Sequence, residues 1–511
     1  MRRTWTRSIC CWMLAGAAML SLTGNDARAD VKLPNVFGNH MVLQQGQKNK
    51  VWGIAEHGET VTVTIEKQKH EATAGPDGKW QVMLDPLAVG GPYVMSVKGK
   101  NEVKFDDILV GEVWVCSGQS NMQWSVNAST DADLEKVAAK YPKLRMINFP
   151  QVGTQEPIWT HDRQWQVCTP ETVGGFSAVG YFFGRQLHQT LDVPVGMINN
   201  AWGGSACEAW VRRDILAADD KYKPLLDRWG GMEAAFADLS VKGKELTEDQ
   251  KKQFSGLQGQ MGGNARPGNI YNGVLKSHLG YGIKGAIWYQ GESNASRAYQ
   301  YRDLFPLMID SWRKEWSQGD FPFYWVQLAD FKAEKAEPGE SDWAELREAQ
   351  TMTMTRLPKT GEAVIIDIGE GKDIHPKNKV DVGRRLARWA LVNDYGVPGI
   401  APRSPIYKSM EKQAGKIVLT FEHTAGGWRP FDVAEPRGFT IAGEDKKFVH
   451  AKAKLLPDGR IEVWSDAVQE PESVRYAWAD NPICNMFSVA GLPLTPFRTD
   501  DWPGVTINNN K

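Results

Sequence analysis

The sequence has few cysteines and no excess of charge of either sign. Six of its 511 residues are cysteine, and Lys plus Arg total 60 against 61 for Asp plus Glu, a formal net charge of -1. Such a balance supplies no strong electrostatic field, so the composition gives no indication of a nucleic-acid partner. No cysteine spacing is typical of a metal site.

Long hydrophobic runs are also lacking. The main apolar stretch, residues 9–22, is shorter than the ~20 residues that a membrane-spanning helix needs. Arginines precede it and the small-residue segment Ala27-Arg-Ala29 follows it, a pattern typical of a cleavable secretory signal. We therefore predict a signal peptide at residues 1–29, no membrane span, and export to the periplasm or the extracellular space.

Four cysteines remain in the expected mature chain: Cys116, Cys168, Cys207 and Cys484. An exported compartment permits disulfides, and four cysteines allow three complete pairings that the sequence does not separate. Buried free thiols are the alternative. The 21 tryptophans offer flat apolar faces to sugar rings, although tryptophan also fills the cores of β-domains.

Short alternating apolar runs separated by turn residues occupy residues 30–105 and return at residues 401–511. A period of two with a turn about every ten residues is typical of antiparallel sheets. We therefore predict a β-sandwich-like domain at each end of the mature chain.

Residues 106–400 alternate buried strands with helices, which predicts an α/β domain with a parallel sheet covered on both faces. The predicted strands are 108–110 with 113–115, 194–198, 285–288, 323–326 and 363–366. The predicted helices are 180–190, 299–316, 343–356 and 379–395. A charged segment at about residues 213–263 has helical composition, and we interpret it as a helical insertion, either beside the site or simply solvated.

The sharpest local feature is an apolar strand that runs directly into Gly118-Gln119-Ser120-Asn121. A serine there would lie at the carboxyl end of a parallel strand, where α/β sheets bind ligands. If a helix follows, its N-terminal amides would face a developing oxyanion. An ordinary N-cap serine is the other interpretation.

A nucleophilic serine needs a base, and His375 lies in a loop between a predicted strand and a predicted helix. Asp373, two residues upstream, could bond one imidazole nitrogen and leave the other facing the serine. Asp373 and His375 together therefore indicate a catalytic base more strongly than either residue alone.

Two further strand ends could supply oxyanion donors. The first carries Gly203-Gly204-Ser205, where glycine lets a backbone amide approach a substrate closely. The second offers the side-chain amides of Gln290 and Asn294. Glycine-rich turns are common after strands, so each of these two segments alone is weak evidence for an oxyanion hole.

With these blocks in this order, the chain resembles the sialate O-acetylesterase family of SGNH-type hydrolases. The resemblance covers nearly the whole mature sequence and includes longer blocks at residues 33–44, 288–294, 382–391 and 474–482. It implies a flavodoxin-like α/β/α catalytic domain, a Ser-His-Asp triad, no metal and no nucleotide. The implied substrates are acetyl esters of sialic acid or related sugars.

Residue by residue, the resemblance implies Ser120 as nucleophile and His375 as base, with the amides of Ser120 and Gly204 in the oxyanion hole. We favour Gln290, then Asn294, as a further donor. Asp373 is the expected orienting acid, with Asp367 or Glu370 as alternatives. Further expected substrate contacts are Gln119, Glu292 and Arg297, and Arg347 is another arginine expected nearby.

Two other functions remain open at the level of sequence. The catalytic segments are expected to recognise only the acetyl group, so xylan or another plant polysaccharide could be the acetylated substrate. A non-catalytic carbohydrate-binding protein is the alternative of another class, but such a protein needs none of Ser120, Asp373 and His375. The sequence does not indicate the oligomeric state.

Overall fold

The computed structural model describes residues 30–241, 245–424 and 426–511. The predicted signal peptide lies outside these residues. Within them, no helix combines the length and apolar character needed to cross a membrane.

The N-terminal part is made of short, mostly antiparallel strands, as its alternating pattern predicts. They are β1 (Val42–Gln44), β2 (Asn49–Ile54), β3 (Thr60–Ile65), β4 (Gln68–Thr73), β5 (Lys79–Leu84) and β6 (Gly90–Lys98). β3 pairs with β4 and β6, and β2 pairs with β5. The sequence reading missed β4, because this mostly polar strand has no fully buried residue.

One long strand, β7 (Glu102–Gly118), joins this part to the centre of the molecule. Its first half pairs antiparallel with β6, and its second half pairs in parallel with two later strands. The two short segments predicted at 108–110 and 113–115 are therefore one strand. The proposed domain boundary at residues 105/106 falls inside it, and the domain division itself stays a prediction.

A parallel sheet forms the centre. Its further strands are β8 (Tyr141–Asn148), β9 (Gln166–Cys168), β10 (Val195–Asn199), β11 (Gly285–Tyr289), β12 (Phe323–Val326) and β13 (Thr360–Ala363). The order is β13-β12-β11-β7-β10-β8-β9, with β9 antiparallel. Both neighbours of β7 come later in the chain, so the strand order reverses there, which is where sheets of this type bind ligands.

Ten α-helices accompany the sheet: α1 (Ser120–Gln123), α2 (Ala132–Ala138), α3 (Ala178–Leu191), α4 (Arg213–Ala217), α5 (Lys223–Leu239), α6 (Glu248–Met261), α7 (Asn269–Gly273), α8 (Ala298–Trp316), α9 (Asp342–Arg356) and α10 (Lys379–Asn393), counted over the described residues. The predicted insertion holds α4, α5 and α6, and α6 has no buried residue.

Each face of the parallel sheet has its own hydrophobic core. Val113 and Val115 of β7 pack with residues of α8 and α9, whereas the alternate residues Trp114 and Cys116 pack with α3 and α10. A strand covered on both faces has apolar residues at successive positions. The predicted mixed α/β class is therefore confirmed.

The C-terminal part is again antiparallel. It contains β14 (Ile406–Gln413), β15 (Lys416–Glu422), β16 (Phe439–Ala442), β17 (Val449–His450), β18 (Lys452–Leu455), β19 (Ile461–Trp464), β20 (Ser473–Tyr476) and β21 (Phe497–Arg498). These strands form two four-stranded sheets, β14-β15-β19-β18 and β17-β16-β20-β21.

In the centre, one predicted strand needs correction and one strand was not predicted. The strand predicted at 363–366 is β13, which pairs with β12 over Thr360–Ala363 and ends there. Val364 and Ile366 are apolar because they pack into the C-terminal core. β8 was not predicted at all, since Tyr-Pro-Lys-Leu-Arg-Met-Ile-Asn has neither a clear period nor a flanking turn signal.

Candidate active site

Ser120 is the first residue after the turn that ends β7. Gly118 occupies this turn with φ +130°, and a Cβ there would lie 2.2 Å from the carbonyl oxygen of Tyr289. The N–H of Gln119 donates to the same oxygen at 2.9 Å. Only glycine permits this close approach of β7 to β11, which sets Ser120 at the carboxyl edge of the sheet.

His375 reaches this serine from a loop 255 residues further along the chain. Its Nε2 lies 2.8 Å from Ser120 Oγ, which is hydrogen-bond distance. A histidine at this distance can accept the hydroxyl proton as the serine attacks a carbonyl carbon.

Asp373 contacts the same histidine in two ways. Its Oδ1 accepts the backbone N–H of His375 at 2.9 Å and lies 3.5 Å from the imidazole Nδ1. The second distance is long for a formed N–H···O bond, and catalytic bonds in ligand-free sites often tighten only when substrate is bound. Asp373 thus faces the nitrogen opposite the serine.

The two alternative acids have other partners. Asp367 forms a bidentate pair with Arg385, at 2.6 and 2.7 Å. Glu370 accepts the backbone N–H of Lys377 at 2.9 Å and its ammonium at 3.0 Å. Of the three carboxylates, Asp373 is therefore the one placed against the imidazole.

The electrostatics of the pair suit a general base. Burial lowers the pKa of His375, and the Asp373 carboxylate opposes that effect. The backbone N–H of His375 and the ammonium of Lys377 lower the pKa of Asp373. At neutral pH the imidazole is therefore neutral and the carboxylate ionised.

Trp124 is a site residue that the sequence reading missed. Its indole stacks on the imidazole of His375, with ring centroids 4.7 Å apart and planes inclined by 13°. It lies only four residues after Ser120, but it is one of 21 tryptophans, and nothing local distinguishes it from a core residue.

The loop carrying Gly204 lies against Ser120. The N–H of Trp202 donates to Gly118 O at 2.9 Å, and a Cβ at Gly203 would lie 3.3 Å from the Cβ of Ser120. Over the described ranges, the backbone N–H groups of Ser120 and Gly204 make no hydrogen bond to the protein. Both groups are available as donors to a substrate oxygen.

Gln290 and Asn294, predicted as side-chain donors, have other roles. The Nε2 of Gln290 donates to Ser205 O at 3.0 Å and to Asn294 Oδ1 at 2.7 Å, so both of its hydrogens are engaged. Asn294 Nδ2 donates to Glu208 at 2.9 Å, and its Oδ1 also accepts the N–H of Cys207 at 2.9 Å. The two amides therefore hold the Ser205–Glu208 segment against the end of β11.

The arginines expected to contact substrate are also engaged inside the protein. Arg297 is 6% exposed and pairs with buried Glu208 at 2.6 Å. Arg347 is fully buried and donates to four backbone carbonyls, those of Leu328, Ala329, Ala479 and Asp480. Because a buried, paired guanidinium has no free donor surface, neither arginine fits the role of a carboxylate receptor.

Gln119 and Glu292, also expected to contact substrate, lie behind the serine turn. Gln119 is 3% exposed, and its Oε1 accepts the backbone N–H groups of Gly291 and Ser293, each at 3.3 Å. Glu292 accepts a bond from Asn121 at 2.6 Å, and burial raises its pKa. Both residues therefore support the turn from inside.

An open cleft of about 720 Å³ lies in front of Ser120 and His375. Its other lining residues are Gln123, Trp124, Ser125, Ala128, Asn148, Phe149, Pro150, Gln151, Arg163, Gly175, Asn199 and Ala201. Neutral polar and aromatic groups predominate, as suits a sugar, and Arg163 supplies a positive charge. The guanidinium of Arg163 donates to the Asp162 carbonyl at 3.2 Å and forms no ion pair with the described residues.

The four cysteines of the described residues are free thiols, and three of them are buried. Burial raises the pKa of Cys168 to about 12. No group of three or more His, Cys, Asp or Glu side chains within the described ranges is arranged to hold a metal ion.

The chain is similar to a known protein family and to several of its members. A family model described as a carbohydrate esterase, sialic acid-specific acetylesterase, matches residues 110–243 and 263–391. The sialate O-acetylesterase of Homo sapiens is 29% identical over 93% of this chain and 94% of that protein, and the one of Mus musculus is 29% identical over 79% and 81%. A solved carbohydrate acetylesterase from Xanthomonas citri is 37% identical, with TM-score 0.80 over 93% of this chain and 100% of that one. These matches confirm the resemblance identified from the sequence.

Proposed function

Because the chain belongs to the sialic acid-specific acetylesterase family of carbohydrate esterases, we propose that it removes acetyl groups from a sugar through an acetyl-serine intermediate. The observation that carries this proposal is the 2.8 Å contact between His375 Nε2 and Ser120 Oγ at the floor of an open cleft.

In the first half-reaction, His375 accepts the Ser120 proton as Oγ bonds to the acetyl carbonyl carbon. The tetrahedral intermediate collapses when the bond to the sugar oxygen breaks and the imidazolium returns its proton to that oxygen. Asp373 faces the other imidazole nitrogen, so it stabilises the imidazolium and favours the tautomer with hydrogen on Nδ1.

In the second half-reaction, water attacks the acetyl-serine while His375 accepts its proton. The bond between Oγ and the carbonyl carbon then breaks, Ser120 regains a hydrogen, and acetate leaves. Both tetrahedral intermediates carry an oxyanion. We assign its stabilisation to the backbone N–H groups of Ser120 and Gly204, in place of the Gln290 and Asn294 side chains, and one such donor contributes about 3 kcal/mol.

For the sugar, we propose an O-acetylated sialic acid, since the matched family and the curated relatives carry that name. A sialic acid differs from a xylan unit in its carboxylate. Arg163, the cation in the cleft, supports this choice because a guanidinium can bind a carboxylate through two parallel hydrogen bonds.

The domain arrangement and location remain part of the proposal. We propose an SGNH-type, flavodoxin-like catalytic domain over residues 106–400, flanked by β-domains at residues 30–105 and 401–511. The order β10-β7-β11-β12-β13 supports it, since this is the flavodoxin-like order when β8 and β9 are set aside. Export after cleavage of residues 1–29 is proposed from the sequence pattern alone.

Acetate release tests the function directly. Purified wild-type protein and Ser120→Ala would be compared on O-acetylated sialic acids, acetylated xylan and 4-nitrophenyl acetate. We expect release from the sialic acids, and loss of all turnover in Ser120→Ala with a nearly unchanged thermal transition. Release from xylan alone would reassign the sugar, and undiminished turnover by Ser120→Ala would reject the nucleophile.

A further inference from the structure

Asn121, the residue after the nucleophile, links three separate segments behind the site. Its Nδ2 donates to Glu292 Oε1 at 2.6 Å and to Ile374 O at 3.0 Å, and its Oδ1 accepts a bond from Lys379 Nζ at 2.6 Å. Ile374 immediately precedes His375. The side chain of Asn121 therefore ties the serine turn to the histidine loop, and both to the first residue of α10.

Lys379 is an unusual partner for this amide because it is completely buried. Its ammonium group lies over the ring of Tyr289, 5.1 Å from the centroid. An apolar side chain would fill the same space without the cost of removing an ammonium from water. Packing therefore gives no reason for a lysine here.

Glu292 supplies the opposite charge across the same amide. Its Oε1 accepts from Asn121, and its buried Oε2 has no hydrogen-bond partner among the described residues. The amide thus separates a buried carboxyl from a buried amine. Burial raises the pKa of Glu292 and lowers that of Lys379 to about 7, while each group favours the charged form of the other.

We propose that Lys379 is a positioning residue, which holds the serine turn and the histidine loop in register through Asn121 and balances the charge of Glu292 behind His375. It touches neither substrate nor reacting atoms. The proposal rests on the assignment of Ser120 and His375 above, and it concerns only how their 2.8 Å contact is maintained.

The charged groups that face Lys379 determine the direction of its electrostatic effect. Glu292 faces it from the segment after β11, and Glu370, Asp373 and His375 face it from the loop before α10. The Lys379 ammonium lowers the pKa of His375. Removal of this charge should therefore move the acidic limb of the pH profile to higher pH.

The test measures kcat and KM of Lys379→Met for 4-nitrophenyl acetate between pH 5 and pH 9. We expect kcat to fall by about 10-fold to 100-fold, as for a small displacement of reacting groups, with little change in KM. The acidic limb should move to higher pH, because the Lys379 ammonium lowers the pKa of His375. Lys314→Met, on an exposed lysine of α8, is the control for loss of a helical lysine.

Lys379→Gln and Lys379→Arg keep the proposal testable if the Met variant does not fold. Glutamine can still donate to Asn121 but has no charge. Lys379→Gln should therefore retain more of kcat than Lys379→Met, but it should still move the acidic limb of the pH profile to higher pH. Arginine keeps the positive charge, so Lys379→Arg should leave the acidic limb at the pH of the wild type. Unchanged kcat and an unchanged limb in folded Lys379→Gln would overturn the proposal, as would a lower melting temperature alone. Loss of turnover in Ser120→Ala with unaffected Lys379 variants would reject only this inference and leave the esterase assignment standing.

Discussion

The indole of Trp124 lies nearly parallel to the imidazole of His375, with ring centroids 4.7 Å apart. Its Nε1 donates to the Ala128 carbonyl at 2.7 Å, which fixes the plane of the indole. One face of the base is therefore covered, while its edge nitrogens remain directed at Ser120 and Asp373. Trp124 also lines the cleft, so the same side chain contacts the proposed base and the proposed sugar site.

Replacement of Trp124 with Ala should lower kcat by up to about tenfold, because a ring pair of this kind contributes about 0.5–1.5 kcal/mol. Trp124→Phe keeps a flat face and should retain most of the activity. Steady-state kinetics with 4-nitrophenyl acetate, a small substrate, separate this effect from sugar binding. Equal loss in the Phe and Ala variants would show that stacking is not the cause.

The pH profile of the wild type follows from the state of His375. In the proposed mechanism the neutral imidazole is the base, so kcat/KM should rise with pH as the free enzyme loses that proton. Burial lowers the pKa of His375, which places this rise below the titration of an unperturbed histidine, whose pKa is about 6.5. A rise centred well above that value would contradict a His375 pKa that burial lowers.

Asp373→Asn should reduce kcat by about 10⁴-fold, since the charge that stabilises imidazolium is lost. The carboxylate raises the pKa of His375, so the residual activity should also have its acidic limb at lower pH. Asp367→Asn and Glu370→Gln are matched controls, because those carboxylates pair with Arg385 and Lys377. If Asp373→Asn lost little of kcat while Asp367→Asn or Glu370→Gln lost most of it, the orienting acid would be reassigned to that other residue.

Gly204→Ala should lower kcat by about 10²-fold to 10³-fold if the amide of Gly204 is an oxyanion donor. Gly204 has φ +70°, and an added Cβ would lie 3.1 Å from Asn264 Nδ2, so the Asn264 side chain or the loop must move by a few tenths of an ångström. Gly319→Ala is the matched control, since Gly319 has φ +69° and nothing within 4 Å of the added atom. A similar loss of activity in both variants would point to general strain.

Arg163 and Arg297 should respond differently to alanine substitution. Arg163→Ala should raise KM for an acetylated sialic acid but not for 4-nitrophenyl acetate, with little change in stability. Arg297→Ala leaves the buried carboxylate of Glu208 unpaired, which should cost about 3–5 kcal/mol of unfolding free energy. Chemical denaturation and kinetics on both substrates check this, and an unchanged KM in Arg163→Ala would remove its proposed role.

Local pattern was sufficient for much of the fold. α8 begins one residue before the predicted helix and ends where predicted, because a long amphipathic segment shows the helical period in its own sequence. α9 agrees equally closely with its prediction, although its apolar residues form no clear stripe along one face. β12 was located for a similar reason, since its apolar residues are consecutive. β8 and the end of β13 were not predicted, because pairing with neighbouring strands sets their positions, and their own apolar patterns do not.

The sequence by itself determined that a serine follows a buried strand at Gly118 and that a histidine with a nearby acid lies before α10, since strand ends and loops can be read locally. Only the tertiary structure decided which polar groups are free to act. Gln290, Asn294 and Arg297 have side chains suited to catalysis or binding, but partners 85 to 89 residues away in the chain, Ser205, Cys207 and Glu208, take up their hydrogen bonds. Each buried donor must find an acceptor on folding, and that competition is settled between distant segments brought into contact.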